Sequence, residues 1–233
     1  MFKRFATRNL RLERLDTGDY TPEEYVKWQS EMKLINRFLG DTRILKLSLE
    51  HELPKREDHV SILDVGAGSG ELLKAAKEMM NGKTAFLVGA ELNTDAVRSI
   101  RDRSFGVHAL QCDALRLPFS DGSFDFVVSS LLLHHLDDEC ARCLIAEMQR
   151  VARRGFFIID LHRHPAAYYL YRLFGSIFLQ RFTLEDGSLS ILRSFRPHEL
   201  RRLADQAGVQ HPVVKRRAAF RLVLSGSKNG HLK

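Results

Sequence analysis

Short apolar segments alternate with amphipathic segments along the chain from about residue 60 onward. Short apolar runs indicate buried strands, and apolar residues that recur every three or four positions indicate helices with one buried face. The predicted strands are residues 60–65, 85–90, 107–112, 124–130 and 155–160, and the predicted helices are residues 71–80, 94–103 and 138–151. Because this alternation is typical of a parallel sheet joined by crossover helices, we expect an α/β fold.

Two further helices are predicted before the first strand. Thr21, Pro22 and Glu24 form a helix start, in which Thr21 caps the helix and Glu24 completes a capping box. This helix ends at Gly40, and a second one covers about residues 42–53 before Pro54. The apolar face of the first helix consists of Tyr25, Trp28, Met32, Ile35 and Leu39. We expect the pair to cover an edge of the sheet or its open ligand end.

The segment after the fifth strand is rich in aromatic residues and forms an insertion at about residues 161–195. Helical spacing places four of its rings largely on one side, and these are Tyr171, Phe174, Phe178 and Phe182. That apolar surface is larger than a connection requires. Packing against the N-terminal helices and contact with a second copy of the chain would each cover it. A helix at 197–207, closed by Gly208, and a strand pair within 211–224 complete the predicted elements.

The bulk composition indicates one main domain. With 233 residues, 44% of them hydrophobic, the chain can bury one substantial core. We expect residues 55–233 to form that domain and residues 1–54 to form a basic segment with a helical cover. No stretch reaches the roughly 18 apolar residues of a membrane span, and the N-terminal residues lack the apolar core of a signal peptide. The expected location is the cytoplasm.

The net charge of +7 is moderate, and part of it is concentrated near the N-terminus. The basic residues there are Lys3, Arg4, Arg8, Arg11 and Arg14, and a second basic run is 215–217. Such a pattern could contact nucleic acid, which we consider the less favoured partner, the surface of an anionic membrane or an acidic partner. The simpler interpretation is a solvated and partly frayed terminal segment. We expect a monomer or a homodimer.

The three cysteines do not predict a disulfide framework or a metal site. Cys140 and Cys143 have C-x-x-C spacing, but no second pair accompanies them. Cys140 also shares helical spacing with Leu144, Met148 and Val151, which predicts cysteines on the buried face of a helix. We therefore expect no metal.

A glycine-rich segment between the first strand and the following helix is the most informative part of the sequence. Gly66, Gly68 and Gly70 let the backbone turn sharply and approach a ligand closely. Glu71 stands where a dinucleotide-binding motif would have its third glycine, and Asp64 precedes the first glycine by two residues. An acid at that position would repel a pyrophosphate but attract the ammonium group of an amino-acid cofactor, so an NAD-dependent oxidoreductase is disfavoured.

Two more acids follow the next predicted strands. Glu91 ends the second strand, where a carboxylate can accept hydrogen bonds from both hydroxyls of a ribose. Asp113 follows the third strand and could accept the exocyclic amine of an adenine. Open α/β sheets bind ligands at the carboxyl ends of their strands, so the three acids predict a nucleoside-type cofactor there.

These segments resemble the successive motifs of class I S-adenosylmethionine-dependent methyltransferases, especially the methyltransferase-11 type and the ubiquinone/menaquinone biosynthesis enzymes. The resemblance covers about residues 60–160, and its most specific part is 117–125, which reads LPFSDGSFD. It implies a Rossmann-like, doubly wound domain with a seven-stranded, mostly parallel sheet whose last strand is antiparallel. Relatives in this family often have a substrate lid between the fifth strand and the following helix. The aromatic insertion is therefore a candidate cover for the acceptor.

The resemblance implies S-adenosylmethionine as the cofactor and assigns residues to its parts. Asp64 and the three glycines would surround the methionine moiety, Glu91 would contact the ribose, and Asp113 with Ala114 would contact the adenine. Most relatives carry Asp where this chain has Glu91, a change of one methylene. The full predicted cofactor-binding set is Asp64, Gly66, Ala67, Gly68, Gly70, Glu91, Leu92, Asp113, Ala114 and Ser130.

Histidines after the fourth and fifth strands are the candidates for catalysis, and they are His135, His162 and His164. A neutral imidazole could remove a proton from a phenol or an enol. Alternatively, His134 or His135 only caps the crevice or contacts the cofactor. Because the sulfonium already activates the methyl group, the family's catalysis consists mainly of alignment, and a general base is not required.

The expected function is therefore methyl transfer from S-adenosylmethionine to a small hydrophobic acceptor that resembles a phenol, a quinol or a polyketide, with methylation at oxygen or carbon. A methyltransferase of RNA or protein is one alternative. A catalytically inactive subunit that binds the cofactor and serves a partner is another.

Overall fold

The structure is a computed structural model that describes residues 3–50, 52–53, 59–80, 84–102 and 106–228, with only the backbone given for 36–39. The predicted helix ends at Pro54 and Arg103 and the side chain of Leu39 lie outside the described residues. No helix in the described part of the chain is both long and apolar enough to cross a bilayer.

The described residues form a seven-stranded sheet in the order β3-β2-β1-β4-β5-β7-β6. Its strands are β1 (His59–Val65), β2 (Thr84–Glu91), β3 (His108–Gln111), β4 (Phe124–Ser130), β5 (Ala152–Leu161), β6 (Val213–Arg217) and β7 (Arg221–Ser227). β7 pairs antiparallel with both β5 and β6, and the other pairs are parallel. The predicted Rossmann-like sheet with an antiparallel last strand is confirmed.

The α-helices either precede the first strand or connect successive strands. They are α1 (Arg14–Thr17), α2 (Pro22–Leu39), α3 (Asp41–Glu50), α4 (Glu71–Met79), α5 (Thr94–Asp102), α6 (Asp138–Val151), α7 (Pro165–Phe178), α8 (Arg181–Arg193) and α9 (Pro197–Gln206). The predicted capping box of α2 is present, because the Thr21 hydroxyl accepts from the Glu24 backbone at 3.2 Å and the Glu24 carboxylate accepts from the Thr21 backbone at 3.0 Å.

Both faces of the sheet are buried, and the alternation of side chains along each strand divides them between two cores. In β1, Leu63 and Val65 belong to the core beneath α6 and α9, whereas Val60 and Ile62 belong to the core beneath α3, α4 and α5. This arrangement leaves the carboxyl ends of the central strands as the place where loops can form a site.

The basic N-terminal segment is anchored to the protein at Phe5 and Arg8, so the interpretation as a frayed terminus is wrong, although Lys3, Arg4 and Arg11 are exposed to solvent as expected. Phe5 is fully buried and contacts Tyr168 of α7 edge to face. The Arg8 guanidinium lies 3.7 Å from the centre of the Phe195 ring and donates to the carbonyl oxygens of Leu136 at 2.7 Å and Arg193 at 2.6 Å. These partners are remote in sequence, and therefore the charge pattern alone could not show them.

The insertion consists of two helices, and the predicted single aromatic stripe is wrong. α7 ends at Phe178, the chain turns at Leu179 and Gln180, and Phe182 is fully buried in α8. Phe174 and Phe178 are instead exposed, with 57% and 74% of their surface accessible. The helical spacing did not continue because the helix itself ended.

Cys140 and Cys143 are only half-buried, so the prediction of buried cysteines is also wrong. Leu144, Met148 and Val151 are buried as expected, but the stripe continues through Ala141 and Ile145. The buried face of α6 is therefore rotated by about one residue from the predicted face.

Candidate cofactor site

The glycine loop connects β1 to α4 at the carboxyl edge of the sheet. Gly66, Gly68 and Gly70 all have positive φ angles, 73°, 52° and 79°. A Cβ atom on Gly66 would lie 2.8 Å from Cδ2 of Leu132, whereas one on Gly68 would meet nothing within 4 Å. The amides of Gly66 and Ala67 donate to the carbonyl of Ala90 at 2.8 and 3.2 Å. The loop is thus fixed against β2 and has open space at Gly68.

Asp64 is a buried carboxylate without a partner. Its side chain is 1% exposed, and neither of its oxygens has a hydrogen-bond partner among the described residues. Burial, together with the negative charge of Glu91, raises the pKa of Asp64 to about 8. A buried polar group without hydrogen bonds lowers the stability of the folded protein unless a ligand supplies the missing bonds.

Ser130 ends β4, the strand next to β1, and its hydroxyl oxygen is likewise buried without a partner among the described residues. The neighbouring Ser129 hydroxyl donates to the Val65 carbonyl at 2.7 Å, which ties the two strand ends together. Two unsatisfied polar side chains therefore occur where the central strands end.

Glu91 joins the end of β2 to the glycine loop. One carboxylate oxygen accepts from the Gly68 amide at 2.9 Å, and the other accepts from the amides of Leu92 and Asn93 at 2.8 and 3.1 Å. Since a carboxylate has about four lone-pair sites, it can still accept from a ligand hydroxyl. Leu92, beside it, exposes 68% of its surface and presents an apolar face.

Asp113 and Ala114 lie beyond the end of β3. Asp113 is exposed, and its Oδ1 accepts from the Leu115 amide at 2.8 Å. The amide of Cys112 donates to the Glu91 carbonyl at 3.0 Å, which holds this turn beside the end of β2. The structure thus brings the predicted acids to the ends of three adjacent strands, as the sequence indicated. The close approach of the Leu132 side chain to Gly66 was not predicted, because nothing in the local sequence distinguishes Leu132 from core leucines.

Comparison with known proteins agrees with this geometry. Residues 62–155 match a family model for a methyltransferase domain. The chain is 33% identical over 95 residues to tRNA (carboxymethyluridine(34)-5-O)-methyltransferase alkbh8 of Xenopus tropicalis and 37% identical over 98 residues to ubiquinone/menaquinone biosynthesis C-methyltransferase UbiE of Burkholderia mallei. Each match covers 40% of this chain, but only 14% of the first protein and 39% of the second.

Solved structures share the fold across most of the chain. A SAM dependent methyltransferase from Aquifex aeolicus is 18% identical with a TM-score of 0.60, covering 85% of this chain and 97% of that one. The plantazolicin methyltransferase BpumL in complex with SAH is 14% identical with a TM-score of 0.66, covering 88% and 89%. Residues 62–155 therefore match a methyltransferase domain, which supports the predicted class I S-adenosylmethionine-dependent type. The predicted family is confirmed, whereas the acceptors named for these relatives differ.

The methyltransferase domain places a pair of oriented histidines after β4. Nδ1 of His134 lies 2.6 Å from Oδ1 of Asp160, and Nδ1 of His135 lies 2.9 Å from Oδ1 of Asp16. The predictions missed both aspartates. Asp160 has a signal, since it is a further acid near the end of a strand, but Asp16 is 119 residues away from its partner. Both belong to elements that meet only in the fold.

His162 and His164 follow the carboxyl end of β5. Burial, together with the nearby His164 and arginines, lowers the pKa of His162 to about 4, so its ring is neutral at neutral pH. The His164 ring accepts from the Ala166 amide at 3.2 Å as the cap of α7 and stacks on Phe220. These contacts assign a structural role to His164, and catalysis by His135, His162 or His164 stays a prediction.

Proposed function

We propose that this protein transfers a methyl group from S-adenosylmethionine to a small hydrophobic acceptor. The observation that supports this cofactor is Asp64, a buried side chain with no hydrogen-bond partner among the described residues, in the strand that leads into the glycine loop. S-adenosylmethionine carries an ammonium group that can pair with such a carboxylate directly or through water. An ammonium group favours the ionised form of Asp64, whereas the pyrophosphate of a dinucleotide would be repelled by that form.

The other strand ends fit the rest of the cofactor. Glu91 would accept from the ribose hydroxyls while it holds the Gly68 amide, and the adenine amine would donate to Asp113. The apolar surface of Leu92 would lie against the adenine. The sulfonium supplies the activated methyl group when the cofactor is bound, so the residues of this chain bind, orient and exclude water.

An exposed apolar surface on α7 supports a hydrophobic acceptor. The residues concerned are Leu170, Leu173, Phe174, Ile177 and Phe178, which expose between 43% and 74% of their surface. α7 begins just beyond the carboxyl end of β5, the edge at which the cofactor site lies. A contiguous exposed apolar patch on a protein generally marks a binding surface. We assign this one to the acceptor and to its cover.

The proposed cofactor site is tested by calorimetric titration with S-adenosylmethionine, S-adenosylhomocysteine and NAD. We expect the first two to bind and NAD not to bind. Asp64→Asn should weaken binding of both sulfur cofactors by roughly 10- to 100-fold, the equivalent of losing a hydrogen bond to a charged group. Asp125→Asn is the matched control, a buried aspartate at the other edge of the sheet, and should bind normally. Equal affinities in all three proteins would refute the site.

The acceptor class is tested with radiolabelled S-adenosylmethionine and two substrate sets, a panel of hydrophobic phenols and quinols and a preparation of total RNA. The proposal expects label in the extracted phenols. Phe178→Ser should raise the KM for those acceptors, whereas Val26→Ser, which changes an equally exposed apolar residue of α2, should not. Label confined to RNA would instead support the tRNA-type activity named for the Xenopus relative.

A further inference from the structure

Three metal-ligating side chains converge outside the cofactor site. They are Glu13, just before α1, and His134 and His135, which lie in a 3₁₀ turn at Leu133–His135. One ligand atom from each lies within 4.8 Å of the other two. Glu13 and His134 each expose only 3% of their surface, and the His135 side chain exposes 24%. The cluster is therefore shielded on most sides and opens at His135.

Each histidine has a carboxylate partner at one ring nitrogen. The Nδ1 atoms of His134 and His135 lie 2.6 and 2.9 Å from carboxylate oxygens of Asp160 and Asp16. An ionised carboxylate can only accept, so Nδ1 carries the proton and Nε2 keeps a free lone pair. Metal-binding histidines almost always donate their second ring nitrogen to such a partner. This arrangement occurs twice here, once for each imidazole.

The turn that carries the histidines is held in place by Arg193. All three nitrogens of its side chain donate to carbonyl oxygens, namely those of His134 at 3.1 Å, His135 at 2.6 Å and Arg11 at 2.6 Å. Its nearest approach to the Glu13 carboxylate is 3.7 Å, beyond hydrogen-bond distance. Arg193 thus fixes the backbone of the cluster, whereas Oε1 of Glu13 accepts from the Ser190 hydroxyl at 2.8 Å. A carboxylate has about four lone-pair sites, so Glu13 can also bind a cation.

The charges around the cluster favour a cation. Three carboxylates border it, those of Glu13, Asp16 and Asp160. Two guanidinium groups are close, but Arg8 also pairs with Asp138 at 2.6 Å, which leaves Arg193 as the main compensating charge. A divalent ion would supply positive charge to carboxylates that the described guanidinium groups compensate only in part.

We propose that Glu13, His134 and His135 bind a divalent transition metal ion of the Zn²⁺ type, with Asp16 and Asp160 as the residues that orient the imidazoles. Two histidines and one carboxylate are a ligand set found in zinc and iron sites, and three protein ligands leave a position for water or substrate. Metal–ligand distances of about 2.0–2.2 Å would require the three atoms to close by roughly an ångström. None of the three residues belongs to the predicted cofactor-binding set, although His135 is also a candidate for catalysis.

The test uses the full chain without a histidine tag, treated with chelator and then dialysed. Titration with Co²⁺ should produce a visible d–d absorption band that saturates at one ion per chain and is displaced by Zn²⁺. Circular dichroism before and after chelation checks that the protein stays folded. A folded protein that takes up no Co²⁺ at one ion per chain would overturn the proposal, and the polar cluster would then be only a hydrogen-bonded part of the interior.

Variants separate the ligands from their surroundings. Glu13→Gln and His135→Ala remove ligands and should abolish the saturable Co²⁺ band. Asp16→Asn leaves all ligands in place and should weaken Co²⁺ affinity by about 10- to 100-fold, the usual effect of losing an orienting partner. His198→Ala changes an exposed histidine of α9 and should bind normally. Affinities unchanged in Glu13→Gln and His135→Ala would refute the assignment, and S-adenosylmethionine titrations of the same proteins report separately on the cofactor site.

Discussion

A buried aspartate lies at each end of the parallel strands, and the two differ in their hydrogen-bond partners. At the carboxyl edge, Asp64 has no hydrogen-bond partner among the described residues. Its burial and the negative charge of Glu91 together raise its pKa to about 8. At the amino edge, Asp125 is 2% exposed but accepts from the amide and hydroxyl of Ser61 at 3.0 and 2.9 Å and from Arg153 and Arg154 at 2.6 and 2.8 Å. Although burial alone would raise the pKa of Asp125, these donors lower it to about 2.

We attribute the difference to function, with Asp64 reserved for a ligand in the proposed site and Asp125 stabilising the fold. A buried carboxylate is stable only when donors compensate it, so one that has none depends on a partner from outside. Asp125 receives its donors from the protein and ties β1, β4 and β5 together. Asp64 receives none from the described residues, and this uncompensated burial is the observation on which the proposed cofactor site rests.

The largest expected effect comes from leaving a buried charge unpaired away from the site. Arg163 has a fully buried side chain that donates to the carbonyls of Phe5 and Ser194 and pairs with Glu199. Glu199→Gln should lower the free energy of unfolding by about 3 kcal/mol, because the guanidinium keeps only neutral partners. Urea denaturation measures this change in the free energy of unfolding. Asp205→Asn, which removes the exposed partner of Arg201, should cost less than about 0.5 kcal/mol. Similar losses in both variants would contradict the comparison.

Asp64→Asn should have the opposite sign and stabilise the protein without cofactor by about 1–3 kcal/mol at pH 8, since it removes an uncompensated carboxylate. The pKa of Asp64 is raised in the folded state, so the stability of the unchanged protein should fall as the pH rises from about 4 through 8. The variant should lack that fall. Urea denaturation across this pH range measures the stability of both proteins. A variant less stable than the parent at pH 8 would refute this account of Asp64.

The smallest effect concerns Asp125, whose pKa is lowered in the folded state. Its contribution to stability is therefore present above about pH 4 and is lost as the pH falls through 2. Because Arg153 and Arg154 are partly exposed, we expect Asp125→Asn to cost only about 1–2 kcal/mol at pH 7. The difference from the parent should shrink as unfolding is measured at successively lower pH. A difference that does not change with pH would mean that packing, not charge, is lost.

Local signals predicted most of the cofactor side of the molecule. The glycines at 66, 68 and 70 do adopt positive φ angles, and Thr21 with Glu24 does cap α2. Each feature depends on a few consecutive residues, and for that reason a single sequence shows it. Predictions that needed the exact end or rotation of a helix failed, as Phe182 and Cys140 illustrate, because a periodic pattern does not state where a helix stops or which flank meets the core.

The sequence by itself determined the α/β order, the glycine loop and the acids at the ends of three strands, because strand periodicity, turn conformation and strand-end chemistry are local properties of the chain. Only the tertiary structure decided which buried charges have partners. Asp16 reaches His135 across 119 residues, and Arg163 reaches the carbonyl of Phe5 across 158. Such pairs depend on which segments the fold brings into contact and on how much water it excludes there. For the same reason, the missing partners of Asp64 could be seen only after the chain was folded.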